Sequence, residues 1–377
     1  MARTSVLPTD PHTRKAWAMK VGTDSVKNAY WSRHIGEEGS RSLIVKKTDL
    51  DSGAGDEVTT TLVAKLRGAP VVENQKLAGK EMRLDFATHK MRVNVIRQGV
   101  NVGTRMDQKR TDVNLKAQGR QRLTDYIKEL YEEYIAAHLA GSRGVGSEFT
   151  HLPLTYAGYP NALRAPDSAH LFVGTAGDKV KNTLVVGDKL TLATINKLQT
   201  KAKKMLGGVQ DGGSQRIEKI QRNGKELYAL VTMPEGMQDI RDDTGTQGWF
   251  EAQKALTNAI GKESELFKGG AGWFNGVLVD EVDVGVKFSD YGAGSNVAAM
   301  RSIFAGANAG VIAHGTKNMD SGLAIELDED EDDRGFEKVI TFLMIFGVDR
   351  SFMTPVNGAA ARDTGMIAVD HAYTAAV

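Results

Sequence analysis

The chain has 377 residues, 41% hydrophobic and 25% charged, the balance of an ordinary globular protein and not of a disordered one. With 48 basic and 47 acidic residues the formal charge is +1; gripping nucleic acid as a main task calls for a basic excess, so balance argues against it. There is no cysteine, which removes disulfides, thiolate metal sites and cysteine nucleophiles and suits a reducing compartment.

Residues 1–10 carry no apolar core of a signal peptide. The longest near-continuous apolar run, residues 339–348, is about half of what a membrane span needs. A soluble, non-exported protein is expected. Within residues 1–45, Val6, Trp17, Val21, Tyr30 and Trp31 stand scattered among charges. That pattern fits an extended arm with a few docking side chains, and equally a poorly ordered terminus.

Two strand patterns follow. Val58, Thr60, Leu62, Ala64 and Leu66 alternate with Thr59, Thr61, Val63, Lys65 and Arg67, and Met91, Val93 and Val95 alternate with Arg92, Asn94 and Ile96. Between them lies a polar stretch, residues 71–90, longer than most loops in compact domains. A ribbon of this length is marginal alone and calls for support from a neighbouring subunit. Its apolar residues Leu62, Val63, Leu66, Val71, Val72, Met82, Phe86, Val93 and Val95 are the candidate assembly contacts.

Residues 105–140 read as a helix. Leu123, Ile127, Leu130, Tyr134 and His138 recur at helical spacing, and Gly141 and Gly144 mark the stop. Gly119 in the polar first half suggests a break or bend. At ~1.5 Å per residue such a helix spans roughly 54 Å, more than a typical domain. No heptads run through it, which favours the spine of a plate over a coiled coil. Further on, residues 191–206 predict an amphipathic helix, 227–233 a buried strand ended by Pro234, and 249–260 a helix. Residues 277–286 predict a strand, 298–313 a small-residue helix, 328–333 an acidic loop, and 339–346 and 366–369 closing strands. The class is α+β, with no internal repeat.

No constellation carries chemistry convincingly. The run Asp328–Asp333 offers oxygen ligands but lacks the spacing and turning glycine of a calcium loop, so a solvated surface loop is the plainer reading. Residues 269–276 are glycine-rich, yet no Gly-Lys-Ser/Thr follows and the next element is a strand, which leaves a flexible turn. The eight histidines show no i, i+4 pair, and His138 sits on the helix stripe, where packing explains it. Asp239, Arg241, Asp242 and Asp243 read as surface pairing. No catalytic residue, metal site or cofactor is assigned.

The order arm, long hairpin, long helix and α+β lobe resembles the major capsid protein of tailed double-stranded DNA bacteriophages, a fold shared with encapsulin shells. Four stretches carry the resemblance. They are residues 227–234 (LYALVTMP) with 240–243 (IRDD), 266–272 (LFKGGAG) with 275–277 (NGV), 304–312 (FAGANAGVI), and 340–352 with Phe346-Gly347-Val348 and Phe352. The resemblance covers roughly residues 45–370 and rests on the order of these motifs. It implies an N-terminal arm (1–45), an extended hairpin loop (46–104), a peripheral domain with the spine helix (105–180 and 335–377) and an axial domain (181–334). It also implies self-assembly into hexamers and pentamers of a head enclosing double-stranded DNA, which the chain would touch weakly and non-specifically. A portal protein and a decoration protein are implied partners, with no membrane. Only about 50 residues precede the hairpin, so a separate scaffolding protein is expected. The implied location is the virion, and the host cytoplasm during assembly. Lys76, Lys80 and Lys90 give no basis for a covalent crosslink. An encapsulin-like cellular compartment is the alternative of the same fold; a metal-dependent hydrolase using the acidic run near Asp328 is the alternative of another class.

Overall fold

The computed structural model describes residues 29–52, 55–64, 66, 69–205, 215–222, 224–243, 272–315, 325–332 and 337–374. The predicted helix at 249–260 and most of the predicted arm lie outside these residues. The first described element is a 3-10 turn, Tyr30–His34, followed by β1 (Ile35–Gly36), β2 (Ile44–Lys47) and the short helix α1 (Asp49–Ser52). Next come β3 (Glu57–Val63), β4 (Phe86–Arg92), β5 (Asn94–Thr104), α2 (Arg105–Arg110) and α3 (Leu115–Ala140). β6 (Leu171–Val173), α4 (Leu192–Lys204), β7 (Ile220–Arg222), β8 (Lys225–Thr232) and α5 (Pro234–Arg241) follow. The later strands are β9 (Gly272–Phe274), β10 (Val277–Glu281), β11 (Val286–Tyr291), β12 (Val297–Ala305) and β13 (Gly310–His314). The last are β14 (Ile325–Asp332), β15 (Glu337–Arg350), β16 (Phe352–Pro355), β17 (Arg362–Asp363) and β18 (Met366–Ala372).

Three sheets organise these elements. A six-stranded sheet runs β1-β2-β13-β15-β14, with β5 on the other side of β15. An eight-stranded sheet runs β6-β18-β12-β8-β10-β9, with β11 on β12 and β7 on β8. A four-stranded sheet, β17-β16-β4-β3, carries the hairpin. The strands after residue 335 are dealt to all three.

The buried α3 explains why one core joins the two larger sheets. Leu123, Ile127, Leu130, Tyr134 and Leu139 pack in one cluster with Ile340, Phe342, Met344, Phe346 and Val348 of β15 and with Leu227, Ala229 and Val231 of β8. The intervening residues of β8, Tyr228 and Leu230, face a second cluster built on Leu192, Ile195 and Leu198 of α4 and Met237 and Ile240 of α5. Both faces of β8 are therefore covered, which is why it reads as an unbroken apolar run instead of an alternating one.

The long helix is shorter than the sequence suggests and breaks elsewhere. A capping box between Thr104 and Asp107 starts α2, residues 111–114 interrupt, and Asn114 restarts the helix by accepting Ala117 N–H at 3.1 Å. Gly119 is no hinge; a Cβ there would lie 3.3 Å from Val102, so the glycine lets the helix approach β5. Gly141 closes the helix at φ 68°, the left-handed cap expected of it.

Four further expectations are corrected. The second hairpin strand is Phe86–Arg92, not 91–96, so the intervening segment is 64–85; Asn94 onward belongs to β5, in another sheet. Ala87 and His89 are buried there, and neither announces a strand. The predicted helix at 298–313 is two strands, β12 and β13. Its small residues serve close approach between layers: a Cβ on Gly306 would meet Glu218 O at 2.0 Å. Pairing of β12 with β18 and β8, and of β13 with β2 and β15, overrides helix propensity. Residues 328–332 of the acidic run are not a loop but the end of β14, paired with β15 as far as Asp332↔Glu337, and Asp333 lies outside the described residues. The predicted strand at 277–286 is β10 and the start of β11, with a turn between them. The Gly-rich turn, where described, is a two-residue hairpin loop, Asn275-Gly276, both at positive φ.

Candidate assembly surface

β3 and β4 pair over seven residues, from Glu57↔Arg92 to Val63↔Phe86. Their base is fixed to the body. Val58 and Met91 are buried with Leu50, Val311 and Ala313, and Val93 packs against them. Leu62 packs on Ala87 and Met353, and β16 extends the ribbon through Thr354↔Thr88.

Toward the tip this support ends. Val63, Leu66, Val72, Leu77, Met82, Leu84 and Phe86 are between 43% and 60% exposed. The described hydrogen bonds in the tip are local, such as Lys80 N–H to Leu77 O at 2.9 Å and Ala64 N–H to Asp85 O at 2.9 Å. The predicted contacts thus divide. Val63, Leu66, Val72, Met82 and Phe86 share the projecting ribbon, and Val71 there is half-buried. Leu62 and Val93 pack against the chain's own residues, and Val95, half exposed, lies on β5. Leu77 and Leu84, absent from the predicted set, share this exposure; isolated leucines in a polar stretch are the signal that finds them. A row of apolar side chains on a segment with no core of its own is a surface made to be covered.

A buried charge network anchors the ribbon. Asp349 of β15 accepts from Arg164 Nη2 at 2.9 Å, and faces His89 Nε2 of β4 at 3.7 Å and His138 Nδ1 of α3 at 3.9 Å. Burial pushes the Asp349 carboxyl up to about 6, against the pull of Arg164. Burial lowers His89 to about 4 and His138 to about 3, so both rings are neutral near pH 7. His138 is a packed core residue, stacked on Tyr134, as its place on the helix stripe predicts. Asp363 pairs with Arg350 at 2.9 Å and accepts the Asp167 N–H at 2.9 Å.

Asp167, His170 and Asp363 bring three ligand-type atoms within 4.8 Å of one another. Most of the set is already engaged: His170 Nδ1 lies 2.8 Å from Asp167 Oδ1 and the Arg350 guanidinium pairs with Asp363, while His170 Nε2 is buried without a hydrogen-bond partner. It is a clasp between two chain segments. On β14, the alternation turns Leu327 into the core and Glu329 toward α3, where Lys116 and Arg120 hold it. Burial raises the Glu329 carboxyl, but these two cations outweigh it and the net shift is downward. Asp239 is not at the surface either: it is buried on α5 and accepts Thr374 Oγ1–H at 2.6 Å.

No described helix is long and apolar enough to cross a membrane. No curated protein matches the chain. The chain from the capsid of Ralstonia phage GP4 is 32% identical, with 99% of each chain covered and a TM-score of 0.77. A chain of the cyanophage Pam1 capsid is 20% identical over 100% of each, TM-score 0.70. One from the capsid of Helicobacter pylori bacteriophage KHP30 is 13% identical over 99% of this chain and 94% of that one, TM-score 0.65. These last two share the fold. A model of the phage capsid protein family matches residues 6–375, so the chain belongs to the phage capsid protein family and is a major capsid protein, a subunit of the shell.

Proposed function

We propose that the subunit closes into a head of hexamers and pentamers through its β3–β4 ribbon, whose tip lies on a neighbouring copy. The exposed apolar row from Val63 to Phe86 carries this reading: among the described residues, 69–84 hydrogen-bond only within the segment, and at its end Phe86 O accepts Val356 N–H of the body. Covering such side chains contributes on the order of 1–2 kcal/mol each, less the cost of ordering the loop. A ribbon seated on a different surface of the next copy is a heterologous contact, the kind that closes into rings.

The implied division of labour goes with it: an arm (1–45), a hairpin-loop segment (46–104) of which β3, β4 and the residues between them form the ribbon, a peripheral domain on α3 (105–180 and 335–377) and an axial domain (181–334). The proposed partners are a separate scaffolding protein, a portal protein, a decoration protein and the enclosed double-stranded DNA. Assembly takes place in the host cytoplasm, and the virion is the destination. The role is structural and not enzymatic.

The test replaces residues 64–85 with a two-residue turn and compares particles by electron microscopy. The expected result is a folded subunit that forms no closed shells or fragile ones. Robust shells of normal size from the shortened chain would remove the ribbon from assembly.

A further inference from the structure

We propose that the outer face of α4 and the facing segment 168–177 form a groove for the phosphate backbone of double-stranded DNA. The inference rests on the reading that the shell encloses DNA and assigns the contact to particular residues.

α4 buries Leu192, Ile195, Leu198 and Ala202. Lys197, Lys201 and Lys204 fall at i, i+4 and i+7, so they form one stripe. Opposite the stripe lies a groove of about 890 Å³ that also presents Ser168, Asn196 and Thr200 and, among the described residues, is lined by no carboxylate. Neighbouring lysines of this lobe are matched: Lys179 with Asp188, Lys181 with Asp290, Lys189 with Asp239. Lys197 and Lys201 instead donate to the carbonyls of Thr175 and Leu171, at 3.1 and 2.8 Å. Of the nearby acids, Asp167 attracts Lys201. Asp167 is held by His170 and by the Asp363 amide, and Asp178 stands exposed beside Gly177.

Lysines in the last turns of a helix complement its dipole. That explains their presence on α4, but not why the facing segment offers the groove the Ser168 hydroxyl and, among the described residues, no acid. The chemistry of the groove selects among anions. Among the described residues it holds no arginine fork for a carboxylate, and its large apolar floor residues, Phe172 and Met205, are themselves buried, which leaves no anchor for a peptide. Lysine point charges with hydroxyl and amide donors are the usual contacts of a phosphate chain. The stripe is about 10 Å long, the length of roughly three phosphates of one strand.

The test measures binding of the unassembled subunit to a short random-sequence duplex by fluorescence anisotropy over a salt series. The variant is Lys197→Ala/Lys204→Ala, both exposed, and the control is Lys76→Ala/Lys109→Ala. We expect the variant to lose about tenfold or more in affinity at low salt, and the salt slope to fall by about 1.8. The control should change neither. An equal loss in the control, or none in the variant, overturns the proposal. So does displacement of the duplex by polyglutamate at equal charge, which would assign the groove to an acidic protein, or by millimolar inorganic phosphate, which would make it a single-anion site. Normal shells from the variant in electron microscopy keep this result separate from assembly; failure of the unaltered chain to form shells would sink the shell reading and leave the DNA measurement standing.

Discussion

Gly347 shows how a single residue positions the ribbon. It lies on β15 where β4 gives way to β5, and a Cβ there would sit 2.3 Å from Arg92 O. The contact atom is backbone, so relief requires moving a strand. Gly347→Ala is expected to destabilise the subunit by roughly 1–3 kcal/mol, read as a lowered denaturation midpoint. Buried histidines set a pH dependence at the same scale. His314, packed against Tyr131 and Phe346, has its pKa lowered by burial from 6.5 to about 4. A depressed folded pKa contributes stability above 6.5 that is lost as pH falls toward 4, because the unfolded chain takes the proton first. His89 acts in the same direction, and Asp349, raised to about 6, acts against them by gaining stability as it protonates. His314→Phe should therefore remove roughly 2 kcal/mol of the stability difference between pH 7 and pH 5, measured by denaturant unfolding at both. An unchanged difference would mean the ring is already protonated or unburied in solution.

The hairpin behaves as two parts at the scale of elements. Its base belongs to the fold through Val58, Met91 and Leu62, while its tip has only itself. Replacing Val72, Leu77, Met82 and Leu84 together with Ser should leave the unfolding midpoint within about 0.5 kcal/mol of the parent, since exposed substitutions cost little. Particle yield in sedimentation should nonetheless collapse. Replacing Met91 by Ala should do the reverse in part, costing about 2–5 kcal/mol in the subunit itself. A tip variant that unfolded as readily as the base variant would place the tip in the subunit's core.

At the scale of the molecule, α3 ties a six-stranded and an eight-stranded sheet into one body from which the ribbon projects. Contacts made by apolar side chains are screened little by salt. Shell formation is thus expected to persist between about 0.1 M and about 1 M salt, in contrast to DNA binding by the α4 groove, which should weaken steeply. Light scattering along one salt series reads both.

The sequence by itself determined the elements whose burial pattern is local. α3 shows its stripe and its Gly141 stop, β8 its double-sided apolar run, and the ribbon its alternation from Val58 onward. Order of motifs was enough to indicate the capsid family. Only the tertiary structure decided the rest. The segment 298–313 is rich in small residues that suit a helix as well as a crowded strand, and pairing partners distant in sequence chose the strand. Residues 328–332 of the acidic run became the end of β14 because β15 offered them a ladder and α3 offered Glu329 two cations. Likewise, which of the ribbon's apolar residues are free to meet a neighbour depended on what the body already covered, and periodicity does not encode that.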